Sequence, residues 1–168
     1  LRYKRAVGSD GYLGAIYTGR EYGGGRNQVA GLDGQIRLTK SSQIGFHGFG
    51  SWTKPAPAEG LEGGTLPGTA FGSNYLYDTR DLGLSLSFYG ISKGFGTATG
   101  YLTRTGIGGL VASVSPRIYP KSRLVRKLIP NLSAAVAKDL ESGLYETNDA
   151  LGVTALVGGN TTIQALGR

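Results

Sequence analysis

At 168 residues, with a net charge of +7, 30 glycines and neither cysteine nor methionine, the chain is long enough for one domain with its own core, and disulfides and thiolate metal sites are excluded. Glycine is well above its usual share of about 7%, but there is no collagen-like period and no Ser/Gly linker. The glycines sit among β-type residues, where turns and crowded strand positions call for them. No run of about 18 apolar residues occurs, so no transmembrane helix is encoded; membrane strands stay open, because they alternate and give only weak hydropathy signals.

In chain order, Leu1 to Val7 reads as strand rather than as an initiator methionine or a signal peptide. Gly8 to Gly11 turns, and Tyr12 to Thr18 is aromatic and β-branched enough for a second strand. Gly19 to Asn27 reads as a longer glycine-rich loop. Its Gly23-Gly24-Gly25 run lacks the Lys-Ser/Thr ending and the following helix of a phosphate cradle. From Gln28 to Thr39, period-two alternation puts Ala30, Leu32, Ile36 and Leu38 on one face and Asp33, Gln35 and Arg37 on the other. The second face needs water or hydrogen-bonding partners, since burying such groups unpaired is costly.

Lys40 to Gln43 turns, and Ile44 to Thr53 sets Ile44, Phe46 and Trp52 against His47 and Ser51. Trp52, near a strand end, suits an interfacial aromatic girdle. Lys54 to Asn74, with Pro55, Pro57 and Pro67, is the longest stretch without periodicity and reads as a loop. Within it Glu59, Glu62 and Phe71 are the candidates for ligand contact, because loops on a rigid scaffold carry binding. Tyr75 to Tyr77 is a short strand and Asp78 to Asp81 a turn. Leu82 to Ile91 is the clearest strand of the chain, with Leu82, Leu84, Leu86 and Phe88 on one face and Gly83, Ser85, Ser87 and Tyr89 on the other.

Ser92 to Thr105 reads as loop and Gly106 to Pro116 as strand. Tyr119 to Ser122 turns into a basic cluster of Lys121, Arg123, Arg126 and Lys127. Leu128 to Ala137 is strand, with Pro130 suggesting its start or a bulge. Lys138 to Asn148 reads as polar loop, Asp149 to Val157 as strand and Gly158 to Thr161 as turn; the last strand is cut by the chain end, so residues 1–168 read as a single segment truncated at both ends.

A soluble sandwich would turn the leucine face inward, whereas a membrane barrel turns it to lipid and keeps the serines in a polar lumen. Connection lengths favour the barrel. Short turns at 8–11, 40–43, 78–81 and 158–161 interleave with long connections at 19–27, 54–74, 92–105 and 138–148, as in barrels with short periplasmic turns and long external loops. Only the 117–127 connection breaks the pattern. The expected fold is all-β: an antiparallel up-and-down transmembrane β-barrel, or part of one, with about ten strands. Leu82, Leu84, Leu86, Phe88, Leu32, Ile36 and Leu38 then face lipid, and Asp33, Gln35, Arg37, His47 and Ser85 face the lumen.

Two stretches, YLGAIYTGREYGGGRNQVAGLDGQIRLT at 12–39 and FGTATGYLTRTGIGGLVASVSPRIYPKS at 95–122, resemble the C-terminal barrel region of a family of large bacterial outer-membrane proteins of unknown function, in which a carbohydrate-binding family-9-like module precedes the barrel. The shared features are structural: glycines, aromatic strand ends, and a turn before a basic segment. The resemblance implies a bacterial outer-membrane location and brings no catalytic residues. The module that would bind sugar does not lie within this chain.

The function expected is that of a non-enzymatic outer-membrane barrel, a channel, receptor or anchor, with outer-membrane lipid or lipopolysaccharide and other envelope proteins as partners. The alternative is a secreted soluble β-sheet domain for adhesion or ligand binding. A hydrolase would have to use the single histidine, His47, with Ser51 on the same strand face and Asp33 on the neighbouring strand, opposite Phe49 or Gly50; nucleophile, base and orienter must meet within about 3 Å. One histidine, no cysteine and scattered carboxylates offer no metal site. The basic cluster holds no aromatic to stack on bases, which argues against nucleic acid. No cofactor is expected.

Overall fold

The computed structural model of the chain describes residues 1–56, 64–158 and 161–167. Ten strands form one antiparallel up-and-down sheet in chain order: β1 (Arg2–Val7), β2 (Gly11–Tyr22), β3 (Gly25–Thr39), β4 (Ser42–Lys54), β5 (Leu66–Asp78), β6 (Leu82–Ile91), β7 (Ile107–Pro116), β8 (Val125–Asp139), β9 (Tyr145–Val157) and β10 (Thr161–Gly167). No α-helix occurs among the described residues. Each strand packs against its ladder neighbours, and no other strand pair makes more than marginal contact. Among the described residues there is thus no second sheet to form a sandwich. No ladder joins β1 to β10 among the described residues.

Several strands run further than their sequence suggests. The expected loop at 19–27 is a tight hairpin: β2 continues to Tyr22, β3 starts at Gly25, and Tyr22 pairs with Gly25. Gly23 and Gly24 have φ of 53° and 86°, the positive values that a two-residue turn of this twist needs at both central positions. Likewise β5 begins at Leu66 rather than at Tyr75. Its first half hides because Gly68, Ala70 and Gly72 are small and give no alternation signal, and they are small because other groups lie over them. A Cβ at Gly68 would collide with the backbone of Phe95, and one at Gly72 would come within 2.7 Å of the His47 ring.

The expected polar loop at 138–148 shrinks to residues 140–144. The Asp139 carboxylate accepts hydrogen bonds from the backbone N–H of Glu141 (2.9 Å) and Ser142 (2.8 Å), and Gly143 takes φ 74°. Pro130 lies inside β8 opposite Val153, and the bulge falls earlier, between Val125 and Lys127. The 117–124 connection is long but tied down. Arg117 binds the Asp78 carboxylate and the Thr79 carbonyl, and Tyr119 donates its hydroxyl to the Arg80 carbonyl at 2.9 Å.

Glycine is placed by a rule that the ladder makes visible. Larger side chains lie over the glycine directly opposite them across the ladder, as with Phe49 over Gly31, Phe46 over Gly34, Asn74 over Gly45, His47 over Gly72, Phe71 over Gly90, Tyr89 over Gly109 and Leu166 over Gly152. The glycine leaves room for the ring, and the ring shields backbone that glycine would leave bare.

Candidate functional site

Because ladder partners share a face, the register sorts every strand residue onto one of two surfaces. One carries Leu13, Tyr17, Leu32, Ile36, Trp52, Phe71, Leu84, Leu86, Phe88, Leu110, Leu132 and Leu151, and each of these is exposed. Six of the seven residues expected to face lipid lie here: Leu32 is 63% exposed and Phe88 48%, with Leu84, Leu86 and Ile36 also exposed and Leu82 half-buried; Leu38, exposed as well, sits at the β3 irregularity between Arg37 and Thr39, where the ladder gives it no partner. Their contacts run across the ladder, as in the row Leu84, Val114, Leu132, Leu151.

The exposed band does not follow the ladder rows. The row through Ala15, in the middle of the band on β2, passes Leu32, Gly48, Phe71, Gly90, Gly108 and Lys138 and ends at Tyr145. On β9, however, the band is Leu151, Val153, Ala155 and Val157. It has slid by roughly nine residues over seven strands, which at about 3.4 Å per residue and 4.8 Å per strand is a slant of ~40°. Strands of membrane barrels tilt by about 35–45°, the same range as this slant. The same slant carries Arg5 past one margin of the band and Asp149 past the other.

The opposite face is polar and more sheltered. Asp33, Gln35, Arg37, His47 and Ser85 lie on it together, as the alternation requires. Ser85, Ser113 and Ser133 form a hydroxyl row across three strands. Arg2 grips both carboxylate oxygens of Asp33, at 2.5 and 2.7 Å, and Arg37 pairs with Asp10 at 2.7 Å. Lys4 sits 3.7 Å from the centre of the Tyr12 ring. Arg2, Tyr12, Asp33, Gln35, His47 and Asn74 line a shallow depression of about 350 Å³.

The hydrolase arrangement does not assemble. Asp33 stands opposite His47 rather than Phe49 or Gly50, but its carboxylate is taken by Arg2. Ser51 is 1% exposed, and its hydroxyl accepts the backbone N–H of Gly96 at 3.1 Å. The His47 ring stacks on Phe49, centroids 5.4 Å apart. Of the loop candidates, Phe71 is a strand residue on the apolar face, over Gly90 and tilted against Phe88 at 6.5 Å, because β5 starts before it. Glu59 and Glu62 lie outside the described residues. The described residues hold no cluster of three or more metal-ligating side chains.

A feature invisible in the sequence pattern is the path of the 92–106 connection, which folds back over the polar face. Phe95 is buried with Val29 and Ala70, and Phe49, Ile91 and Leu102 pack around them. Asn27, 2% exposed, donates its amide to Thr53 Oγ1 (2.8 Å) and to the Gly96 carbonyl (3.0 Å), and its Oδ1 accepts the Ala98 N–H (2.9 Å). Further along, Arg20 donates to the Ala98 carbonyl at 3.1 Å, and the Thr99 and Thr18 hydroxyls meet at 3.2 Å. At the other end of the connection, Arg104 bridges Asp139 (2.9 Å) and Glu146 (2.7 Å).

Compared with known protein families, curated proteins and solved structures, the chain shows no match.

Proposed function

We propose that this chain is a bacterial outer-membrane β-barrel, or ten consecutive strands of one, that acts as a channel, receptor or membrane anchor and catalyses no reaction. The observation that carries this reading is the inverted burial. The apolar face is bare and the polar face sheltered, the reverse of what water selects. Burying a Leu or Phe fully is worth about 1.5–3 kcal/mol, so a dozen half-bare side chains of this kind forfeit a sum comparable to a domain's entire stability of about 5–15 kcal/mol. Lipid removes that loss. The slant of the band adds a geometric reason, since it matches the tilt of barrel strands. The bacterial setting rests on the resemblance of residues 12–39 and 95–122. A secreted soluble sheet would need a partner covering the same face.

The test compares two neighbours on β6. Leu86→Arg puts a charge on the band and is expected to cost about 2–4 kcal/mol of folding stability in lipid if it sits near the bilayer midplane, while Ser85→Arg, on the polar face, costs much less. Denaturant titration in phospholipid vesicles measures both. Equal cost at the two positions, or a monodisperse folded protein in plain buffer, overturns the reading.

A further inference from the structure

We infer that the 92–106 connection is a fixed strap across the barrel interior, a constriction that limits which hydrophilic solutes can pass, and not an external loop. The inference rests on the membrane reading above, in which the polar face lines the interior. Connections normally run over a protein's surface, where water satisfies their backbone. This one instead has a seat built for it.

The seat has a polar part and an apolar part. Asn27 and Ser51 come from β3 and β4, not from the strands that the connection joins, and both are more than nine-tenths buried. Between them they satisfy the Gly96 N–H, the Gly96 carbonyl and the Ala98 N–H. Buried polar groups without partners are expensive, so strap and wall each need the other. The apolar part is Phe95, set between Val29 and Ala70. Clearance is minimal: a Cβ on Gly68 would strike the Phe95 backbone, and one on Gly94 would strike the Pro67 carbonyl. From there the strap reaches Arg20 and Thr18 on β2, four strands from β6. The partners on β2, β3 and β4 lie within a few residues of the 23–24 turn and of the end of β4, so the strap narrows the interior just inside that mouth.

The test uses the refolded chain in planar bilayers with potassium chloride as the probe. A disulfide between Thr53→Cys and Gly96→Cys, in a protein that also carries Asn27→Ala and Ser51→Ala, ties the strap to the wall, because a Cβ on Gly96 would lie 3.1 Å from Thr53 Oγ1; no native thiol interferes. Oxidised, this protein is expected to conduct like the wild type. Reduced, with both seat side chains gone, it is expected to conduct several-fold better. Equal conductance in the two redox states overturns the constriction. A second readout needs no membrane: a single Ala70→Cys in detergent-folded protein should react slowly with a maleimide and several-fold faster when Asn27→Ala is added. Reaction of the introduced thiol at the rate of an exposed site overturns the strap itself. A protein that shields this thiol yet never enters bilayers keeps the strap, and overturns the constriction together with the membrane reading.

Discussion

At the scale of single residues, the glycine–ring pairs account for part of the glycine content, and turns at positive φ for another part. Tyr89 is the sharpest case, because a Cβ on Gly109 would lie 2.7 Å from its ring, and the two are direct ladder partners. Gly109→Leu should therefore push the ring off its rotamer and cost about 1–3 kcal/mol, the usual range for overpacking. Tyr89→Ala/Gly109→Leu should recover part of that loss. Urea unfolding in vesicles would show it, and a Gly109→Leu protein as stable as wild type would mean that the pair is not close packed. The sequence shows that such glycines are frequent and lie in strands, but not which ring covers which, because that depends on register. Asn27 was illegible for the same reason. It looked like a loop residue until the two-residue turn at Gly23-Gly24 put it in β3, on the face it shares with Val29 and Asp33.

At the scale of strands and turns, a segment of each of the ten strands is legible in the sequence, β5 through Tyr75 to Tyr77 alone, and the two faces that alternation assigns in β3, β4 and β6 are those of the ladder. Alternation failed where both faces carry small residues, as in the first half of β5, and where a tight turn let strands outrun their apolar stretch, as in β2 and β8. The turn after β8 makes a prediction of its own. Asp139 lies beyond the band, which ends at Val136 on that strand, and its carboxyl is held well below the usual aspartate range by the backbone N–H of Ser142 first, then by Arg104 and the N–H of Glu141. A depressed carboxyl stabilises the fold fully above the unfolded pKa of about 3.9 and loses that contribution as pH falls towards the lowered value. The 140–144 turn is therefore expected to loosen below about pH 4. Asp139→Asn should be looser at neutral pH and nearly insensitive to this acid step. Hydrogen exchange at the Ser142 and Glu141 amides measures both; a turn with the same pH profile in wild type and variant would deny Asp139 the role.

At the scale of the whole molecule, the ends of the sheet and its interior yield the remaining expectations. The polar face presents Arg2, Lys4, Arg20, Arg37, Arg104 and Lys127 against Asp33, Asp78, Asp139 and Glu146, so its surplus is positive. Whatever ionic current leaks past the strap should favour anions, and a reversal potential of the cation-selective sign in a salt gradient would contradict this. Sidedness follows from the connections. Lys54 and Leu66, which bound the β4–β5 connection, share one end of the sheet with the 92–106 connection and the shorter 23–24 and 140–144 turns, and the 40–41 and 79–81 turns share the other with 117–124. If the end without the two longest connections is periplasmic, an impermeant maleimide on intact cells should label Gly64→Cys and spare Lys40→Cys, and the opposite pattern would invert the topology. The chain-order pairing of the strands has a different kind of consequence. Since each hairpin touches only the hairpins before and after it, duplicating or deleting one changes the girth of the structure without rewriting any other strand's contacts. Such a fold can grow or shrink over evolutionary time in whole hairpin steps. The strap resists that only between β2 and β6, because its contacts on β2 fix how many strands can lie between them.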